Sequence, residues 1–246
     1  MKISLKKSWN IIAEEYQKKF FPKNFKYDYL DLNLLGNVRD KKILDLGCGG
    51  GQNSILLAKK SAKVTGVDFS EKQINLAREL AKKQNVKVNF IIKNIKDLSN
   101  FSNNEFDIVM SDYTLQYVKN LDKMFSEVNR IIKKNGIFLF CFDHPMQIGK
   151  WFSIPEFFDL YVIENYFKRR KLYWKWKFKS GKVSASFYRF HRTIQDIFDL
   201  LIKNKFVVER LIEPEPIKKE EIEIKGYEYR KCKKIPFTIV FKARKK

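Results

Sequence analysis

Residues Ile43-Leu44-Asp45-Leu46-Gly47-Cys48-Gly49-Gly50-Gly51 join a short apolar run to an acid and a glycine-rich turn. A second run, Val64-Thr65-Gly66-Val67-Asp68, also ends in acid. Glycines in such a turn reach backbone angles closed to other residues and let a ligand lie against the main chain. An acid closing the next strand stands at the carboxyl edge of the same sheet, where it can accept hydrogen bonds from two ribose hydroxyls. Together these residues predict a pocket for an adenosine-containing cofactor.

Glycine spacing narrows the choice. A dinucleotide fingerprint, G-x-G-x-x-G, needs glycine at position 52, where Gln52 stands. The chain has G-x-G-x-G with Asp45 two places before the first glycine. That form resembles the first motif of the class I S-adenosylmethionine-dependent methyltransferases. The resemblance implies S-adenosyl-L-methionine as cofactor. That molecule has no pyrophosphate to cradle, and its ammonium and sulfonium suit an acid such as Asp45.

The elements that must position these residues follow from periodicity. Leu5, Trp9, Ile12, Ala13, Tyr16 and Phe20 recur at helical spacing and predict an amphipathic helix over 5–20. Strands are predicted at 42–46, 63–68, 88–92, 106–110 and 137–142. Between them run helices over 52–60, over 71–83 behind Ser70, and over 121–133, stopped by Asn135-Gly136. After an interruption Thr193 caps a helix to 204, and strands follow at 206–211 and 236–242. Strand–helix alternation of this kind predicts a Rossmann-like, doubly wound, mostly parallel sheet with right-handed crossovers.

The interruption, 146–190, has its own composition. Residues 168–192 hold ten basic side chains and no acid, interleaved with Tyr173, Trp174, Trp176, Phe178, Phe187, Tyr188 and Phe190. Alternation about Ser180-Gly181 predicts a β-hairpin with one aromatic and one basic face. Such a face suits packing against the body of the protein, a cover over an acceptor pocket, or a stacking surface for single-stranded nucleic acid.

Composition sets bounds. The 246 residues suffice for one large domain, and 44% of them are hydrophobic. No apolar run nears the roughly 20 residues that span a bilayer, so membrane insertion is not expected. The basic start, Met1 to Lys7, lacks the apolar core of a signal peptide. Three cysteines without paired spacing (Cys48, Cys141, Cys232) point to a reducing, cytoplasmic setting. Two histidines and scattered cysteines give no metal-ligand spacing, so no metal is expected. Of the 50 basic residues behind a net charge of +22, 40 are lysine and are spread along the chain. That distribution reads as a solvated lysine coat more than an arginine-rich nucleic-acid surface.

Further stretches resemble one broad group, the type-11 or UbiE-like small-molecule methyltransferases. They are Trp9 to Tyr16, Gly66-Val67-Asp68-Phe69-Ser70, Phe106 to Ser111 with Leu115-Gln116-Tyr117-Val118, and Glu127 to Gly136. His191-Arg192-Thr193 and Glu213-Pro214-Glu215-Pro216 resemble one subgroup more loosely. The resemblance implies a seven-stranded sheet whose last strand inserts antiparallel, with a lid after the fifth strand. A single domain is expected over 1–246. It would comprise a helical cap (1–40), a cofactor-binding half (41–145), the lid (146–190) and a C-terminal helix and strands (191–246).

As the resemblance implies, Asp45, Gly47, Cys48, Gly49 and Gly51 would line the methionine end of the cofactor and Asp68 would hold the ribose. Asn94 and Ile95 would flank adenine, Phe69 would be a further cofactor contact, Ser111 would line the floor, and Tyr16 would approach from the first helix. Asn94 stands where many relatives have aspartate, and Gln116 where a histidine is frequent. The catalytic candidates are His191 and His144. Tyr113, Tyr188 and His191 are candidates for substrate contact, and Asp112 reads as a solvated turn residue. The expected reaction is methyl transfer to a small-molecule acceptor. An RNA methyltransferase is the alternative, although the N/D-P-P-Y/F run of amino-directed base enzymes is absent, with Ser111-Asp112-Tyr113-Thr114 in its place. A non-catalytic binding module is disfavoured by the intact acids and glycines.

Overall fold

Apolar runs bounded by glycine, asparagine and capping side chains fold into the expected strands and helices, with one exception. The strand expected at 137–142 already starts at Ile132, so Asn135-Gly136 lies inside it and not at a helix end. The computed structural model describes residues 3–21, 32–147, 151–153, 160–162, 165–178, 182–215 and 235–246. Helix α1 (Leu5–Phe20) starts where the Ser4 hydroxyl accepts the Lys7 N–H. Strand β1 (Lys42–Leu46) leads through the glycine turn into α2 (Gln52–Lys59). Strand β2 (Lys63–Asp68) leads into α3 (Glu71–Lys83), capped by Ser70 onto Gln73 N. Strands β3 (Asn89–Ile92) and β4 (Phe106–Asp112) precede α4 (Leu121–Ile131) and β5 (Ile132–Asp143). Helix α4 stops two residues short of the predicted end because Ile132 already pairs with Phe106.

Two small hairpins follow, β6 (Trp151–Ser153) with β7 (Leu160–Val162) and β8 (Lys171–Lys177) with β9 (Ser184–Phe190). The chain then enters α5 (Ile194–Lys203), held by a reciprocal capping box between Thr193 and Asp196. It ends in β10 (Phe206–Ile212) and β11 (Thr238–Lys245). The predicted turn at Ser180-Gly181, Pro216 and Cys232 lie outside the described residues.

The large sheet has the order β10-β11-β5-β4-β1-β2-β3. The β1–β2, β1–β4, β2–β3 and β4–β5 pairs are parallel, and β11 runs antiparallel to both neighbours. Alternate residues of the central strands therefore feed two cores. Leu44, Val109, Phe138, Phe140 and Phe241 pack towards α4 and α5, and Ile43, Ile108, Leu139 and Val240 towards α2. Burial of side chains such as Phe138 and Phe140 contributes about 1.5–3 kcal/mol each. The strand order reverses between β1 and β4, which opens a crevice at their carboxyl ends.

The β8–β9 hairpin has the two faces its alternation predicts. Trp174, Trp176, Ala185 and Phe187 face inward, and Lys171, Lys175 and Lys177 face solvent. The aromatic face packs on α1: Trp9 meets Phe187 at 5.1 Å and Tyr16 stacks on Trp176 at 5.3 Å.

Candidate active site at the carboxyl edge of the sheet

The turn after β1 is shaped for close approach. Gly47 adopts φ +75°, and a Cβ there would lie 2.1 Å from the Thr114 hydroxyl oxygen. That hydroxyl donates to Gly47 O at 3.2 Å. Three neighbouring strands end in acids, so Asp45, Asp68 and Asp112 all face one cavity of about 1490 Å³. Asp45 is buried, its Oδ2 accepting from Ser54 Oγ at 2.6 Å. Burial, with the fields of Asp112 and Asp68 added and the Ser54 bond opposing, pushes its carboxyl up to about 7. Asp68 accepts from Gly49 N at 3.1 Å and Ser70 N at 2.8 Å. Burial still raises it to about 6 against those backbone donors. The Cys48 thiol beside them is pushed up, first by burial and then by the same two acids.

A buried concentration of carboxylates at a cavity floor is the electrostatic complement of a cationic ligand. The cavity also exceeds the ~300–1,000 Å³ typical of a single ligand pocket, which leaves room for two molecules side by side.

Helix α1 closes one wall. Gln17 lies over Gly50, donates to Gln73 Oε1 at 2.8 Å and accepts from Gln52 Nε2 at 2.5 Å. Asn10 accepts from the Ser70 hydroxyl at 2.6 Å and donates to Glu71 at 2.9 Å. At the far end, Gln116 Oε1 accepts from Asp143 N at 3.2 Å, and Asp143 pairs with Arg189 of β9. Burial pushes the Tyr117 phenol up to about 12, so it stays protonated as a hydrogen-bonding wall residue.

Most of the residues singled out by sequence meet here. Tyr16, Asp45, Gly47, Cys48, Gly49 and Asp68 line the cavity, as do Phe69, Asn94, Ile95, Tyr113 and Tyr188. Some are committed elsewhere. Asn94 Oδ1 accepts Lys96 N at 3.1 Å, and the Tyr113 hydroxyl pairs with Thr238. Gly51 and Ser111 stand behind the wall. Gly51, at φ +80°, caps α2 and packs against Phe90 and Ala77, and the fully buried Ser111 donates to Leu46 O at 3.0 Å, tying β4 to β1.

Neither histidine lines the cavity. His144 is 1% exposed, with Nδ1 accepting Met146 N and Nε2 paired to Glu213 at 2.7 Å. His191 donates from Nε2 to Tyr166 O at 2.6 Å. Burial lowers the pKa of both, so each is a neutral ring bracing a junction.

Asp112 is not the solvated turn residue that sequence suggests. Strand β4 runs two residues past Met110, and Asp112 accepts from Asn53 Nδ2 at 3.2 Å and Cys141 Sγ at 2.9 Å. Gln17, Thr114, Asp143 and Arg189 were not singled out either. One signal was present: Arg189 occupies an inward position of β9, where Ala185 and Phe187 set an apolar rule. Among the described residues no group of three or more His, Cys, Asp or Glu could hold a metal ion, and no helix is long and apolar enough to cross a membrane.

Comparison with known proteins agrees with this geometry. A methyltransferase-domain family model matches residues 37–151. An uncharacterised Haemophilus influenzae protein is 30% identical over 193 residues, 74% of each chain. A ubiquinone biosynthesis O-methyltransferase from Pelagibacter ubique is 32% identical over 130 residues, 53% of this chain and 52% of that one. The chain thus spans about half the length of that relative. A candidate S-adenosylmethionine-dependent methyltransferase of known structure from Listeria monocytogenes superposes with TM-score 0.69 at 27% identity, covering 87% of this chain and 95% of that one. With its reversed strand order and glycine turn, the chain carries a methyltransferase domain over residues 37–151 and has the fold of the class I S-adenosylmethionine-dependent methyltransferases.

Proposed function

We propose that the chain binds S-adenosylmethionine on the acid floor of the cavity and methylates a small molecule held beneath the β8–β9 hairpin. The observation that carries this reading is the juxtaposition of Asp45, Asp68 and Asp112 with the glycine turn, inside one cavity large enough for two ligands. When bound, S-adenosylmethionine supplies a methyl group on a sulfonium that is already electrophilic. The protein therefore has to position and enclose more than to activate. Asp68, prepositioned by Gly49 N and Ser70 N, would hold the ribose. Asp45 would offset the ammonium charge, and Gly47 would let the ligand lie against the main chain. Phe69 and Ile95 would flank adenine, and Tyr16 and Gln17 of α1 would close over the turn. Trp174 and Tyr117 give the other half of the cavity an aromatic wall that excludes water. With no histidine among the described lining residues, the acceptor side offers hydrogen-bonding groups and no imidazole base.

Calorimetry tests the cofactor half. Micromolar binding of S-adenosylmethionine is expected, weakened by about 1.5–3 kcal/mol in Asp68→Ala, the scale of a hydrogen bond to a charged group. Absence of binding to the wild-type protein would refute the reading. The acceptor half is tested by bulk tRNA. A tight complex whose salt dependence collapses when Lys171, Lys175 and Lys177 become glutamine would replace the small molecule with RNA.

A further inference from the structure

The side of the cavity with the three floor acids also carries Lys93 and Lys96. The hairpin side is rich in cations: Arg170, Lys171, Lys175, Lys177 and Arg189 line it, and residues 168–192 contain no acid, although Asp143 faces it. Four of these five cations can be read as part of the general lysine coat or its edge. Arg189 cannot. It stands on the inward face of β9, 16% exposed, with its guanidinium carbon 5.8 Å from the Trp174 ring centroid. Trp174 is stacked on Phe187 at 5.7 Å with 19° between planes and has Tyr117 tilted against it at 6.2 Å, so the guanidinium lies over a ring of an aromatic cluster. Its partners are Asp143, itself 11% exposed, and Gln147 O at 3.0 Å. A mostly buried ion pair of this kind adds little stability over an apolar pair of similar size. Placing it in the cavity wall therefore calls for a role in recognition. Guanidinium presents five donors in a planar fork and stacks on aromatic faces, which suits a carboxylate or similar anion attached to a flat body.

Resting on the methyl-transfer reading above, we propose that the acceptor is a planar anion, its body packed beside the Trp174–Tyr117 cluster and its charged group held by Arg189. The three floor acids and the hairpin cations then sort the two ligands. The cationic one is drawn to the floor acids and the anionic one to the hairpin. Asp143 keeps Arg189 oriented while the acceptor half is empty and prevents an uncompensated buried cation. Arg189 and Asp143 are thus specificity-determining residues, and neither needs to take a proton.

The test uses three isosteric probes, 2-naphthoate, 2-naphthamide and 2-naphthamidine, each titrated into the full chain saturated with S-adenosylhomocysteine in 150 mM salt. Naphthoate is expected to bind at least tenfold more tightly than the neutral amide, and the cationic amidine more weakly still. Arg189→Gln combined with Asp143→Asn removes both charges without leaving either unpaired. It should bring naphthoate to within about twofold of naphthamide, whereas Arg189→Lys should retain part of the preference. The proposal is overturned in any of three cases. Amide or amidine matches naphthoate on the wild-type protein, no probe binds at millimolar concentration, or the preference survives in the double variant. The prior titration with S-adenosylhomocysteine separates the two failures. No binding there refutes the methyltransferase reading, whereas binding without an anion preference refutes only this inference.

Discussion

Asp45→Asn should make the protein more stable and its cofactor complex weaker, and both effects should depend on pH. The buried carboxyl is raised to about 7 against an ordinary 3.8. A raised folded-state pKa means that the folded chain holds the proton more tightly than the unfolded one. Stability linked to that proton is fully present below pH 3.8 and is lost as pH rises through about 7. At pH 8 the wild-type fold carries a buried anion whose cost approaches an upper bound on the order of 4 kcal/mol, at ~1.4 kcal/mol per pKa unit. Asparagine is isosteric, carries no charge, and can still accept the Ser54 hydroxyl hydrogen bond through its side-chain oxygen. Even a third of that bound would raise the midpoint of thermal unfolding by a few degrees at pH 8, and by less than half as much at pH 5, about one unit above 3.8. S-adenosylmethionine affinity should run the other way. In the wild type it should rise with pH towards 7, by up to about tenfold per unit. In the variant that rise should flatten, leaving only the part due to Asp68, which titrates near 6. Scanning calorimetry and isothermal titration at pH 5, 6, 7 and 8 measure both. A variant that is less stable at pH 8, or whose affinity follows the wild-type pH profile, would show that Asp45 is a structural acid and refute the electrostatic reading of the floor.

Gly47→Ala forces a Cβ into Thr114 at a left-handed backbone position, so a loss of about 1–3 kcal/mol is expected in denaturant melts. Relief by Thr114→Gly in the same chain would identify the clash as the larger part. His144→Asn and His191→Asn should lower thermal stability yet leave S-adenosylmethionine affinity within twofold, measured by calorimetry, because both rings lie outside the cavity. Phe138→Ala should cost about 3–5 kcal/mol in urea unfolding, since Phe138 is fully buried between Phe125, Phe140 and Phe206.

The cofactor half of this molecule is written in contiguous sequence, and the acceptor half is not. Strands β1 and β2 and helices α1 and α3 occupy their predicted spans because each is specified locally, by an apolar period and a capping serine or terminal acid. Asp45, Gly47 and Asp68 could be placed because consecutive parallel strands bring their own carboxyl ends to one edge. Asp112 was hidden because the extension of β4 depends on a pairing with Phe140 and Cys141 of β5 that no local signal announces. The histidines misled for the complementary reason. Their residue type suggests chemistry, but Glu213 and the Tyr166 carbonyl, which claim them, are 69 and 25 residues away. Gln17 reaches Gln73 across 56 residues.

The acceptor wall depends on such distant contacts throughout. The hairpin's alternation separates an aromatic face from a basic one, but only the packing of α1 decides which face turns inward. Arg189 shows the point where the two scales conflict: by local alternation it is a charged residue on an apolar face, a fault in the pattern. In the fold that position meets Asp143 at the end of β5 and the ring of Trp174, in the wall of the cavity. A sequence tolerates a local inconsistency of that kind where function repays it. If Arg189 holds the acceptor as proposed, the break in alternation there is the sequence feature most informative about it, and it becomes readable only once the sheet edge opposite it is known.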